Sequence, residues 1–219
     1  MDLLNFEVAQ EYLGVLLQGL AVTVYLTLIV IVMSAVLAIP VALARMSSSR
    51  LIRLPVDAYV EVARATPLLL QLIYIYYVLP SIGIRLPQML CAFIGLTFNY
   101  TAYMSEVYRG GINAVAQGQW LAAAALGMTD SLAFRRIILP QAVRIVIPSL
   151  GNYFISLFKD TALASAVAVP ELTYAAEWLN VNTFRTIEAW TFASVMYLIA
   201  GYGIAFILRR VERRYAVIR

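Results

Sequence analysis

Hydrophobic positions in this chain form long runs. Four of them contain no Asp, Glu, Lys or Arg: residues 12–44, 65–84, 86–105 and 189–208. A fifth run, residues 145–170, is interrupted only by Lys159 and Asp160. A helix that crosses a bilayer needs about 20 such residues. The pattern therefore predicts five transmembrane helices, at about 16–44, 58–80, 87–108, 145–170 and 188–209.

Composition agrees with a membrane protein, since 63% of the 219 residues are hydrophobic, 13% are charged and the mean hydropathy is +0.83. A soluble domain carries about 25% charged residues. Acidic residues (Asp2, Glu7 and Glu11) precede the first run, where a signal peptide would have basic ones, so we expect this run to remain as the first helix. Residues 1–14 are expected to form an amphipathic lead-in on the outer surface. We predict an all-α integral membrane protein with one domain over residues 1–219.

The placement of basic residues predicts the orientation. Thirteen of the sixteen lie after helix one, after helix three or after helix five: Arg45, Arg50, Arg53, Arg64, Arg109, Arg135, Arg136, Arg144, Arg209, Arg210, Arg213, Arg214 and Arg219. The opposite side has only Arg85 and Arg185. Because basic loops stay in the cytoplasm, we expect the amino terminus outside and the carboxyl terminus inside. The net charge of +4 then reflects topology, and no nucleic-acid partner is expected.

The cytoplasmic connection between helices three and four is long, and its part over 118–140 is predicted to form two short helices. The stretch "QWLAAAALG" is rich in alanine and should be helical, with Gly127 as its C-cap. A second short helix is expected to begin at Thr129 or Asp130 and to be closed by Pro140. Such a pair of helices is typical of a docking element, and equally of an interfacial loop that packs on its own bundle.

Lys159 and Asp160 are adjacent charges within a spanning segment, and Lys159 is the only lysine of the chain. A charge at the centre of a bilayer costs about 2.5 to 3.5 kcal/mol even on insertion scales, so such residues indicate function or a specific partner. In one interpretation the two side chains neutralise each other and hold helix four to a neighbour. In the other, Asp160 faces a polar cavity and binds part of a zwitterionic substrate. Adjacent helical residues point about 100° apart, so only one of them is expected to face such a cavity.

A second polar face lies on helix three, where Asn99, Tyr103 and Glu106 are spaced i, i+4 and i+7. An amide, a phenol and a carboxylate in line suit the ammonium and carboxylate groups of an amino acid. Counting from Arg85, however, Glu106 falls close to the cytoplasmic border, whereas Asp160 falls near the midplane if residues 140–148 run in the interface. Tilt and a kink at Pro148–Gly151 would bring the two depths together. The candidate substrate contacts are therefore Asp160, Glu106, Asn99, Tyr103 and Lys159.

Several kinds of site are excluded by residue content. The chain has a single cysteine, Cys91, and no histidine, which excludes an internal disulfide and leaves no His/Cys metal site. A P-loop needs a lysine directly after glycine, but the only lysine follows Phe158. No ATP site or other cofactor is expected in this chain, so any energy from ATP hydrolysis would have to come from another polypeptide.

The run "LAAAALGMTDSLAFRRIILP" resembles the cytoplasmic signature of ABC importer permeases, which reads Glu-Ala-Ala, three residues, Gly, nine residues, Ile-x-Leu-Pro. The matching positions are Ala122, Ala123, Gly127, Ile137, Leu139 and Pro140, while Leu121 replaces the glutamate. Three further runs resemble the branch that takes up polar amino acids: "ARATPLLLQLIYIYYVLP", "YMSEVYRGGI" and "NYFISLFKDTAL".

This resemblance implies the type I ABC importer permease fold in a bacterial inner membrane, with 118–140 as the helix that couples to the ATPase. It implies a second permease chain, two ATPase subunits that carry ATP and magnesium, and an external amino-acid-binding protein. It also implies a substrate pocket between helices three and four. Some relatives in this branch carry an acid where this chain has Tyr153, so a strictly cationic substrate is less expected. Many relatives have serine where this chain has Ala162, which removes a hydroxyl, and the side-chain specificity stays open.

Two other function classes remain open from the sequence. A non-transporting membrane scaffold or sensor would need only the internal charge pair. A carrier driven by an ion gradient is less expected, because five helices are few and no inverted repeat is visible. An ATPase that binds through residues 118–140 would distinguish the importer from both.

Overall fold

The computed structural model describes residues 6–215, with side chains described over residues 12–211. Within that range the chain is helical and contains no β-strand. The first helix, α1, covers Phe6–Arg45 without a break and includes Pro40. Residues 6–14 of the expected lead-in are therefore the first part of α1 itself, and residues 1–5 lie outside the described residues.

The segment predicted as one helix at 58–80 is interrupted in the structure. Helix α2 (Arg50–Ala65) and α3 (Leu68–Ile73), which continues as a π-helix and a 3-10 turn to Ile82, are bent by 106°. The break lies at Thr66–Pro67, because a proline disfavours the helical conformation for the residue before it, and Thr66 is extended with φ −100° and ψ 136°. The Gln71 Nε2 atom donates hydrogen bonds to the carbonyls of Ala63 and Thr66 at 2.8 and 3.1 Å, which gives backbone acceptors near the bend a partner.

Helix α4 (Gln88–Asn113) packs along α1 and is the most buried helix of the described chain. Leu96, Tyr100 and Met104 on α4 form a core with Leu26 and Val30 of α1. Helices α8 (Leu172–Thr183) and α9 (Thr186–Tyr215) complete the bundle. The contact between α1 and α8 depends on a small residue at Gly19, because a Cβ atom there would lie 2.9 Å from the Leu172 Cα atom of α8.

The connection between predicted helices three and four folds in part as predicted. Helix α5 (Gln117–Ala125) ends at Gly127, which has φ +70°, and the amides of Met128 and Gly127 bond the carbonyls of Ala123 and Ala124 at 3.0 and 2.9 Å. This is the double hydrogen bond of a left-handed helix end, so the prediction of Gly127 as C-cap is confirmed.

The prediction that Pro140 closes the next helix is wrong. The chain is helical from Asp130 onward: α6 (Asp130–Ala133) leads through a π-helix (Phe134–Ile138) directly into α7 (Leu139–Asp160). The π-turn just before Leu139 and Pro140 alters the backbone pairing where the proline lacks its N–H, so the helix continues. Helix α7 ends at Asp160, and a 3-10 helix (Thr161–Val167) completes the run predicted at 145–170.

Two described helices are long and apolar enough to cross a membrane, Tyr12–Arg45 and Thr186–Val211, or three if the bent pair from Arg50 to Ile82 counts as one span. Helices α4 and α7 have 26 and 22 residues. At about 1.5 Å per residue these lengths also reach across the hydrocarbon layer. Both helices line the polar cavity described below, which explains their lower hydropathy.

Glu171 joins three helices at one end of the bundle, although it is fully buried. Its carboxylate accepts hydrogen bonds from the Tyr174 amide at 2.8 Å and the Tyr197 hydroxyl of α9 at 2.7 Å. The Thr23 hydroxyl of α1 donates a hydrogen bond to the same carboxylate at 3.3 Å and accepts one from the Leu172 amide at 3.1 Å. The start of α8 is thus fastened to both α1 and α9.

Candidate functional site

A polar cavity of 430 Å³ lies where the bend between α2 and α3 faces α4 and α7. Its walls come from four segments: Arg64, Ala65, Thr66, Pro67, Leu68, Asn99, Tyr100, Tyr103, Tyr153, Ser156 and Asp160. The α7 residues Tyr153, Ser156 and Asp160 are spaced i, i+3 and i+7, so they share one helical face. The bend between α2 and α3 adds Thr66, whose backbone is extended, to the cavity wall.

Asp160 lines this cavity from the last residue of α7. The Tyr100 hydroxyl donates a hydrogen bond to its Oδ2 atom at 2.6 Å. No ion pair joins Lys159 and Asp160 in the described chain, so the first interpretation, mutual neutralisation, has no support in the geometry. Asp160 instead offers a carboxylate with one neutral partner to the cavity.

Asn99 lines the cavity and also holds the bend in place. Its Nδ2 atom donates to the Ala63 carbonyl at 3.0 Å and to Gln71 Oε1 at 3.3 Å. Its Oδ1 atom makes no hydrogen bond to a described residue, which leaves that oxygen to accept one from a ligand. Asn99 therefore connects the shape of the bend to the chemistry of the cavity.

Three tyrosines separate the two charged ends of the cavity. The Arg64 guanidinium carbon lies 5.4 Å from the Tyr103 ring centroid, a cation–π distance. The ring centroids of Tyr103 and Tyr153 lie 5.9 Å apart, and those of Tyr153 and Tyr100 lie 6.3 Å apart. Because Tyr100 bonds Asp160, an aromatic wall runs from the single cation of the lining to its single anion. Such a cavity suits a zwitterion.

Glu106 is not among the lining residues and lies in a cluster of arginines. It forms ion pairs with Arg45 Nη1, with Arg109 Nη2 at 2.8 Å and with Arg64 Nη1 at 3.5 Å. Arg45 also contacts Asp57 Oδ1 at 2.7 Å, so the cluster ties together α1, α2 and α4. The i, i+4, i+7 spacing grouped Asn99 and Tyr103, which both line the cavity, but it extended the face one turn too far, to Glu106.

Lys159 points into a different groove, between α7 and α9. That groove is lined by Lys159, Ile155, Phe158, Ala162, Ser194, Tyr197, Leu198, Gly201 and Tyr202. Phe158 lies against Gly201, in the middle third of the spanning segment Thr186–Val211. Lys159 is exposed there. The expectation that only one of the two charges faces the cavity therefore agrees with the geometry.

The sequence analysis did not identify Arg64, Tyr100 and Ser156 as cavity residues. Ser156 could have been found from its spacing between Tyr153 and Asp160 on α7. Arg64 was counted only as a cytoplasmic charge, because the helix break that exposes it to the cavity was not predicted. Tyr100 lies one position from Asn99, and only the packed structure brings it to Asp160.

Comparison with known families identifies the fold. The sequence profile described as "Binding-protein-dependent transport system inner membrane component" matches residues 32–217. The chain belongs to this family. This permease is 38% identical over 208 residues to the L-cystine transport system permease protein TcyB of Bacillus subtilis, covering 94% of this chain and 89% of that protein. It is 35% identical over 226 residues to the histidine/lysine/arginine/ornithine transport system permease protein HisM of Salmonella typhimurium, covering 95% and 96%.

Solved structures agree with the sequence relatives. The crystal structure of an amino acid ABC transporter with histidines contains a chain with a TM-score of 0.93 and 34% identity to this permease, over 96% of this chain and 99% of that one. The MetNI methionine ABC transporter in an inward-facing conformation matches with a TM-score of 0.79 at 18% identity, which supports the fold alone. The permease is thus the membrane subunit of an ABC importer without an ATP site of its own. The scaffold and ion-coupled carrier interpretations are not supported.

Proposed function

We propose that this permease forms the translocation path for a polar amino acid and that the cavity between α4 and α7 is its substrate site. The observation that carries the proposal is the arrangement of Arg64 and Asp160 at the two ends of one aromatic-walled cavity. Similarity to permeases named for cystine and for histidine, lysine, arginine and ornithine supports an amino-acid substrate.

Asp160 supplies the negative charge for the ammonium group, and Arg64 supplies the positive charge for the carboxylate. Asn99 through Oδ1 and Tyr103 through its hydroxyl contribute neutral hydrogen bonds. Because the lining has one cation and one anion, it is matched in charge by an amino acid with an uncharged side chain. A tyrosine at position 153, where some relatives carry an acid, favours the same substrate class.

Glu106 acts on the site through Arg64, as a positioning residue. Its carboxylate lies among three arginines, so it orients Arg64 over the Tyr103 ring without touching the substrate. Lys159 has a separate role. An exposed charge at mid-membrane depth must face water or polar protein. We place its groove toward the path shared with a second permease chain.

The proposed membrane arrangement has five spans within one domain over residues 1–219, an outer amino terminus and a cytoplasmic carboxyl terminus. The host membrane is the inner membrane of a bacterium. The distribution of thirteen arginines supports this orientation, and the lengths of α1, α4, α7 and α9 support the spans.

The segment 118–140 is proposed as the coupling element that docks on an ATPase subunit, where ATP and magnesium are held. Its signature residues are Ala122, Ala123, Gly127, Ile137, Leu139 and Pro140. Leu121 and Leu126 on this segment are 64% and 78% exposed, which supplies an apolar contact surface. Ala123 is fully buried against the segment itself, so the signature alanines partly serve its own packing.

The complete importer is proposed to contain two permease chains, two ATPase subunits and one external binding protein. The test is reconstitution of the purified complex in vesicles with labelled cystine, glutamine, histidine and arginine supplied on the binding-protein side. We expect saturable uptake that requires both ATP and binding protein. Uptake driven by an ion gradient without ATP, or purification without any ATPase, would overturn the proposal.

A further inference from the structure

A second polar pocket lies away from the substrate cavity, between α8 and the ends of α3 and the 3-10 helix. It has a volume of 400 Å³. Three aromatic rings, one carboxylate and one amide line it together with small residues of the 3-10 segment: Tyr77, Tyr174, Trp178, Glu177 and Asn182. Aromatic faces next to a carboxylate bind ammonium and guanidinium groups, through cation–π contact and ion pairing.

Glu177 is the only acid within α8, and it has no cation, in contrast to the acids that precede and follow it in the sequence. Glu171 is buried and hydrogen-bonded, and Glu188 pairs with Arg185 at 3.8 Å. Glu177 is exposed and makes no ion pair with any described residue. The pocket therefore carries an uncompensated negative charge beside aromatic rings, which complements a cation from outside this chain.

The surface beside the pocket has the apolar exposure of a protein contact. Val181 is 62% exposed, and Phe184, two residues after Asn182, is 89% exposed. Phe184 ends α8 in the left-handed region at φ +57°, held by its amide bond to the Asn180 carbonyl at 2.9 Å. A non-glycine residue in this conformation indicates a constrained backbone, and here the constraint holds an aromatic ring out from the surface.

Two segments of the chain run from the substrate cavity to this pocket. The 3-10 helix begins directly after Asp160, which lines the cavity, and its residues Ser165 and Ala166 line the pocket. A 3-10 helix rises about 2 Å per residue, so the two sites are separated by about 10 Å along this segment. The helix that starts at Leu68, in the cavity wall, likewise leads to Tyr77 in the pocket wall.

We propose that this pocket is where the external binding protein docks, by inserting a lysine or arginine side chain between Glu177 and the rings of Tyr174 and Trp178. The inference rests on the proposed function, which assigns α8 to the outer side. The family itself is described as dependent on a binding protein. The two segments that connect pocket and cavity fit delivery of substrate, since the docked protein would release its ligand beside segments that lead to the cavity.

The test uses the reconstituted wild-type complex and the binding protein whose loaded form stimulates its ATP hydrolysis. Glu177→Gln is expected to raise the binding-protein concentration for half-maximal stimulation roughly tenfold, since a charged hydrogen bond is lost. The variant should also weaken the dependence of this concentration on salt. Glu188→Gln is the matched control, because the same change is made in α9 at a carboxylate that already has a cation.

The outcomes separate the possible occupants. If the binding protein stimulates the wild-type complex and Glu177→Gln needs the same concentration of it for half-maximal stimulation, the docking site is wrong. The proposed function is then unaffected. A wild-type complex that no binding protein stimulates counts against the proposed function itself. If Glu177→Gln instead weakens binding of free amino acid to the complex, measured by calorimetry without binding protein, the pocket is a small-molecule site and the proposal is wrong. An effect that appears only in vesicles of anionic lipid would assign the pocket to the membrane surface and equally overturn it.

Discussion

Replacing Asp160 with asparagine isolates the charge that the substrate site offers to an ammonium group. The asparagine amide keeps nearly the same shape and retains an oxygen for the Tyr100 hydroxyl, now 2.6 Å from the Asp160 carboxylate. Only the negative charge is removed. A hydrogen bond to a charged group contributes about 1.5 to 3 kcal/mol, so substrate affinity should fall about 10- to 150-fold.

Folding should survive this change, because no ion pair with Lys159 is broken. Removing one member of a buried pair would instead destabilise the protein by roughly 3 to 5 kcal/mol. The assay is calorimetric titration of the purified complex with the transported amino acid, accompanied by thermal unfolding of each variant. The matched comparison is Lys159→Met combined with Asp160→Leu.

The reasoning fails in either of two cases. Unchanged affinity in Asp160→Asn would remove Asp160 from the substrate site. A collapse of folding in Asp160→Asn that the double variant rescues, together with transport, would make the two charges a structural pair. Recovery of folding without transport would agree with the substrate role.

Three further predictions follow from other features of the structure. Gly127→Val places a β-branched residue at φ +70°, at a cost of about 1 to 2 kcal/mol, so ATP hydrolysis should lose its stimulation by substrate while substrate still binds. Fully stimulated hydrolysis in vesicles would count against 118–140 as the coupling element. Glu106→Gln leaves Arg45, Arg64 and Arg109 facing each other and should lower stability by about 2 to 3 kcal/mol in thermal unfolding. An unchanged melting temperature would refute the cluster's structural role. Tyr153→Glu adds a second anion to the cavity and should shift uptake toward arginine and lysine over glutamine, as measured by competition; the same preference as in the wild type would argue against a side-chain contact at position 153.

The part of the fold that depends on local backbone chemistry was predictable from sequence. Gly127 illustrates this, because a glycine after an alanine-rich helix has few other uses than a left-handed end. The bend at Thr66–Pro67 rests on equally local chemistry, but the surrounding apolar run suggested one continuous span. Where an apolar run contains proline, the run length alone does not determine whether the helix is straight.

The candidate site was predictable only where helical spacing determines it. Asp160, Asn99 and Tyr103 do line one cavity. Glu106 shares their face but lies about one turn nearer the arginines, and depth along a helix depends on neighbours that spacing does not reveal. Arg64 and Tyr100 reach the cavity through the packing of α2 and α4 against α7, which no pattern within a single segment encodes.

The buried Glu171 carboxylate constrains how the chain is made. Thr23 lies in α1, which is synthesised before Glu171, and Tyr197 lies in α9, which is synthesised after it. Glu171 itself emerges between them, so its carboxylate acquires its full set of donors only when α1 and α9 meet. Until synthesis passes residue 197, the Glu171 carboxylate lacks the hydrogen bond from Tyr197. The hydrogen bonds that fasten α8 therefore make its attachment one of the late steps in assembling this helical bundle.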